Sequence, residues 1–162
     1  VDAAGCFDGP MTDPPRPGRG GPDPGIHRAL ARWAGDCAER ALAVFEEWDP
    51  TDARPRRALD VLRSWERGEV PMTECRAAAF AAHAAARDAS RAGAPAATAA
   101  ARAAGQAAAV AHMIEHSPHA ATYAAMALGL HGSGASAREE ERRRQWDALD
   151  PLLRPVGVPT GP

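Results

Sequence analysis

The sequence predicts an all-α protein, an antiparallel helical bundle of five to six helices behind a disordered Pro/Gly-rich N-terminal tail. Three observations carry that prediction. Apolar residues recur at three- and four-residue spacing, while β-branched residues are few and never alternate. Between Cys75 and His116 the chain is mostly alanine, the strongest helix former and the smallest side chain with a Cβ, so helices there can pack with their backbones close. Proline and glycine divide the pattern into segments joined by loops of a few residues, which makes successive helices antiparallel neighbours.

Residues 1–24 read as a disordered tail, because Pro10, Pro14, Pro15, Pro17, Pro22 and Pro24 alternate with Gly and Asp and leave little apolar surface. Asp23-Pro24 has the form of an N-cap followed by proline at the first helical position. The first helix is expected from Gly25 to Trp48, with Ile26, Leu30, Trp33, Cys37, Val44 and Trp48 on one stripe. Asp49-Pro50 ends it, since a residue before proline disfavours the α region. A second helix follows to Arg67 with Leu59, Leu62 and Trp65 inward and Gly68 as its stop. Pro71 to Ser90 makes a third, capped by Thr73 and ended by Gly93; Pro95 opens a fourth that runs to Glu115. Ser117-Pro118 repeats the cap-and-proline signal for a fifth, on which His119, Tyr123, Met126 and Leu130 share a stripe. Ser136 and Glu139 have the spacing of a capping box for a last helix, whose Trp146, Leu149, Leu152 and Leu153 face inward. Glu139-Glu140-Glu141 followed by Arg142-Arg143-Arg144 suits its dipole. The expected organisation is thus a single helical domain over 25–155, with a C-terminal tail from 156 to 162.

At 162 residues the chain is long enough for one sizeable core and too short for two domains. A net charge of −2 gives no electrostatic reason to expect nucleic-acid binding. Every basic side chain other than histidine is Arg, which with the abundant Ala, Gly and Pro matches the coding bias of a GC-rich bacterial genome. Val1 reads as the literal translation of a non-AUG start codon. Cys6, Cys37 and Cys75 lack CxxC spacing, which argues against a disulfide framework or zinc ribbon. No apolar run reaches the roughly 18–20 residues of a membrane span, and no signal-peptide pattern opens the chain. A reduced, cytoplasmic protein without cofactor is expected.

Two clusters are candidates for chemistry. Arg76, Phe80, His83 and Arg87 are spaced four, three and four apart, which puts them in one helical stripe. Two guanidiniums flanking an imidazole can grip a carboxylate, a phosphate or an acidic partner surface. The structural alternative is a solvated Arg pair with His83 satisfied in an Ala-lined groove, and Asp36 on the first helix as partner of Arg76 or His83. The second cluster is His112, Glu115, His116 and His119. Histidines at i and i+4 on one helix can hold a metal, but the glutamate is misplaced for an HExxH site and Pro118 breaks the helix before His119. Cys75, near a helix N-terminus, has a possible cause for a lowered pKa and no catalytic partners in sequence. Gly129, Gly132 and Gly134 follow a helix instead of a strand, which excludes a phosphate loop.

The residues also carry a family resemblance. His27-Arg28, Leu30-Ala31, Trp33-Ala34, Asp36-Cys37-Ala38-Glu39-Arg40 and Leu42 resemble the opening helix of the Imm-five-like immunity proteins of bacterial polymorphic-toxin systems. The similarity continues through Arg54-Pro55-Arg56, Trp65-x-Arg67-Gly68-Glu69, Arg76 to Arg87, Ala103 to His116 and Tyr123, and spans residues 26–130. It implies an all-α domain that neutralises a co-encoded toxin by binding it, and supplies no catalytic residues.

The leading expectation is therefore an immunity protein that binds a cognate toxin, is not an enzyme, and leaves its oligomeric state open. Asp36, Arg76, His83, Arg87, His112, His116 and Tyr123 are its candidate binding residues. The alternative is a small-molecule-binding bundle built on His83, Arg87, His112 and Tyr123, which requires a pocket of a few hundred Å³. A helical enzyme using His83 or His112 as general base comes last.

Overall fold

A computed structural model describes residues 23–132 and 134–161. The expected tail over 1–24 therefore lies almost wholly outside the described residues. Those residues form α1 (Pro24–Trp48), α2 (Arg54–Glu66), α3 (Met72–Arg91), α4 (Pro95–Ala109), a 3-10 turn (Ile114–His116), α5 (Ser117–His131), α6 (Ala135–Ala148) and α7 (Arg154–Gly157). No strand occurs among them.

The alanine-rich α4 is the centre of the bundle, packed against α1, α2, α3 and α5. It can be enclosed on so many sides because Ala97, Ala99, Ala100, Ala101, Ala103, Ala104, Ala107 and Ala108 are all buried and none extends beyond Cβ. Larger side chains fill the space around it: Leu30, Leu42 and Phe45 from α1, and Leu59 and Leu62 from α2. Each contributes about 1.5–3 kcal/mol of apolar burial. Helix α6 covers α5 and touches α1.

Several boundaries match the local chemistry. The Asp23 carboxylate accepts from Gly25 and Ile26 N–H at 2.8 and 3.1 Å, so the predicted cap opens α1. Gly93 closes α3 at φ +72, with Ala94 N–H donating back to Ala89 O at 3.0 Å.

Others differ for identifiable reasons. α4 stops at Ala109, well short of Glu115, where Val110 O is taken by His27 Nε2 of α1 at 2.5 Å. The same carbonyl accepts from Met113 N–H at 3.1 Å, so the chain tightens to i+3 bonding there, and no local residue announces the cross-helix contact. Ser117 is inside the first turn of α5 with its hydroxyl buried and unpartnered, so it is no cap. Thr73 and Ser136 likewise make no capping bond; Pro71, in extended backbone, and Gly134, at φ +68, hold those positions. The residues beyond Pro155, expected as tail, include the buried Gly157, and Val158 packs on the core. Leu152 is 86 % exposed, because Pro151 follows the end of α6 at Ala148 and turns the chain away. Trp48, placed inward by periodicity, is 38 % exposed at the end of α1.

Candidate functional site

Helix α4 reaches solvent along most of its length only through Arg102 and Gln106, one turn apart, in the seam between α3 and α5. The residues singled out in the sequence gather around that seam. From α3, the His83 ring lies against Gly105: a Cβ there would meet its Cε1 at 2.7 Å and Nδ1 at 2.8 Å. From the 3-10 turn, His116 Nδ1 is 2.7 Å from the amide oxygen of Gln106, to which it donates. From α5, the Tyr123 ring has the Arg102 guanidinium over it at 5.6 Å. The result is a shallow groove floored by Arg102 and Gln106, with the His83 ring over the buried Gly105 and Arg87 one turn on along α3, and with His116 and Tyr123 on the other side.

The two imidazoles in this groove are held neutral at pH 7. Burial lowers the His83 pKa from 6.5, and Arg87, His116 and Arg102 lower it further. Burial also lowers that of His116, with His112 and His119 adding to it and Glu115 opposing. His112 itself is exposed, its Nδ1 donating to Ala109 O at 3.1 Å and its ring 5.4 Å from that of His116. The end of α4 at Ala109 takes His112 and His116 off a shared helix, and places His83 against Gly105 and beside His116. Among the described residues, no three His, Cys, Asp or Glu side chains assemble as a metal-holding group.

Arg76 and Phe80 extend the groove along α3, the guanidinium 5.8 Å from a ring that is 61 % exposed. Asp36 is elsewhere. Its carboxylate accepts from Arg63 Nη2 at 2.6 Å, so it is the partner of neither Arg76 nor His83. The reason is Gly35, whose missing side chain lets the Arg63 guanidinium lie across α1 and also reach Glu66 at 3.0 Å.

Charge is distributed unevenly over the molecule. The α1–α2 side is laced with ion pairs: Arg32–Glu66, Arg63–Asp36, Arg56–Glu46, Arg54–Asp52 and, at 2.7 Å, Arg40–Glu141. Sequence reasoning missed the last of these, having assigned Glu141 to its own helix; its carboxylate is buried and also accepts from Gln145. On the groove side, Arg76, Arg87 and Arg102 have no carboxylate partner among the described residues. Neither α4 nor α5 contains any Asp or Glu.

Neither described cysteine is poised for chemistry. Burial pushes the Cys37 thiol up to about 12 and the Cys75 thiol up to about 11, overriding any effect of the nearby α3 N-terminus. A separate cavity of about 540 Å³ lies between α5, α6 and the C-terminal segment, lined by His119, Thr122, Arg138, Arg142, Val158 and Thr160 among others.

A family model described as "Imm-5 like putative immunity protein" matches residues 23–152. The match takes in α6, which the sequence resemblance had left out. No curated protein and no solved structure matches the chain.

Proposed function

Because the chain belongs to the Imm-5 like immunity protein family, we propose that it binds a co-encoded toxin and neutralises it without catalysis of its own. Family membership over 23–152 carries the proposal. The site chemistry is consistent with it: the groove holds positioned donors and cations, while the two described thiols stay protonated at neutral pH. The binding residues are then His83, Arg87, His112, His116 and Tyr123, with Arg76 at the edge; Asp36, committed to Arg63, belongs to the scaffold. A bacterial cytoplasm is the compartment in which such a protein would protect its producer.

Co-expression with each toxin-like gene encoded beside it tests the proposal. Growth is restored with one of them if it holds. Failure with every candidate contradicts it.

The cavity beside α6 favours a second assignment, a bundle that sequesters a small anion between Arg138, Arg142 and His119. This moves the ligand away from His83, whose ring already fills the space beside Gly105. Calorimetric titration with phosphate and small dicarboxylates separates the two, since only the second assignment requires heat of binding.

A further inference from the structure

We infer that the α3–α4–α5 groove docks a carboxylate-bearing protein surface, so that the toxin presents acidic side chains to Arg87 and Arg102. The inference rests on the immunity assignment and specifies its partner chemistry.

Charge complementarity is the main argument. Among the described residues eight arginines are answered by a carboxylate within 4.0 Å and nine are not; three of those nine, Arg76, Arg87 and Arg102, share this one groove. Two of the three have an aromatic ring beneath them instead, Phe80 under Arg76 and Tyr123 under Arg102. A guanidinium stacked on a ring keeps its N–H edge free, and the ring limits the freedom lost when a carboxylate is gripped. With His83 and His116 neutral, the imidazoles add donors without repelling one another.

The apolar content of the face narrows the class of partner. Phe80 is 61 % exposed and Leu130 53 %, the latter on the α5 stripe that runs through Met126 and Tyr123. Aromatic and Arg anchors beside apolar side chains are what protein interfaces concentrate. A polyphosphate would draw instead on a continuous basic field, which three arginines on a chain of net charge −2 do not make. Glu115 stands on the 3-10 turn beside His116, and Asp88, next to Arg87 on α3, is taken up by Arg54 and Arg91.

The test uses the toxin that the wild-type protein neutralises in co-expression, and three variants: Arg87→Glu with Arg102→Glu, Arg87→Gln with Arg102→Gln, and Arg57→Glu on α2 as control. All these side chains but Arg102's aromatic contact are free of partners in the fold, and thermal melts verify that each variant folds. The double charge reversal is expected to abolish rescue, the Gln pair to weaken binding by about tenfold or more, and Arg57→Glu to rescue as wild type. Raising salt from about 0.05 to 0.5 M is expected to weaken the wild-type complex by about tenfold, with the Gln pair much less sensitive. Undiminished rescue by a folded double reversal overturns the docking assignment while leaving the immunity assignment standing. So does a wild-type complex indifferent to salt, or binding of a single-stranded RNA oligomer at this face with comparable affinity. Absence of rescue by the wild type overturns the immunity assignment itself and this inference with it.

Discussion

His83 occupies the place where a methyl group on residue 105 would stand, and that one exchange of volume shapes the groove. Alanine at 105 should gain helix propensity of about 1 kcal/mol, but only if the ring can leave. Gly105→Ala is therefore expected to be neutral or destabilising in the wild type and stabilising by about 0.5–1 kcal/mol in a His83→Ala background. A four-member cycle of urea melts measures the coupling, and additive effects would contradict the contact. Ser117→Ala is expected to cost nothing or to stabilise by up to about 1 kcal/mol, since its buried hydroxyl has no partner to lose. The neutral imidazoles make a pH prediction. Both His83 and His116 have folded pKa values below 6.5, so the unfolded chain binds more protons as pH falls through 6.5. Their contribution to stability is full above that pH and is lost as pH drops toward the folded values. Tm should decline between pH 7 and 5, and His83→Gln with His116→Gln should flatten the decline; parallel profiles would contradict it.

At the scale of elements, α6 is held by one cross-bundle clamp. The Glu141 carboxylate takes three contacts from the Arg40 guanidinium at 2.7–3.1 Å and one from Gln145, which also donates to Ala121 O. Trp33 adds its indole N–H to Gln145 O at 2.9 Å. Removing the carboxylate leaves a half-buried guanidinium and a buried amide short of partners. Glu141→Ala should cost about 2–4 kcal/mol, moderated by the solvent Arg40 retains, with hydrogen-exchange protection lost first in α6. A loss near zero would mean that α6 is held by other contacts. Gly157 plays a comparable part for α7: a Cβ there would come within 2.4 Å of Leu149 Cδ2 and 3.2 Å of Trp33. The sequence made the helices legible where the signal was local, as in the Asp23 cap, the Asp49-Pro50 stop and the glycine after α3. It failed where a distant residue decides the outcome. His27 of α1 meets the Val110 carbonyl where α4 gives way to i+3 turns, and Arg40 draws Glu141 away from the arginines beside it in sequence.

Across the whole molecule, ion pairs concentrate on the α1–α2 side. Most arginines of α1 and α2 are paired with carboxylates, whereas α4 and α5 contain no acid and the Asp88 of α3 is taken up by Arg54 and Arg91. Spacing along α3 made Arg76, His83 and Arg87 legible as one stripe. What stands opposite them was not, because the positions of Gln106, Arg102 and Tyr123 depend on how α4 is enclosed. The pairing suggested for Asp36 failed for the same reason, its partner Arg63 being admitted by a glycine on the helix of Asp36 itself. The proposed function requires action by stoichiometric binding of the toxin and not by turnover. Titrating a fixed amount of the active toxin with the purified protein tests it most directly. Residual toxin activity should fall in proportion to added protein, reach its minimum at equivalence and stay constant with time. Complete inactivation by a small fraction of an equivalent, progressing with time, would contradict it.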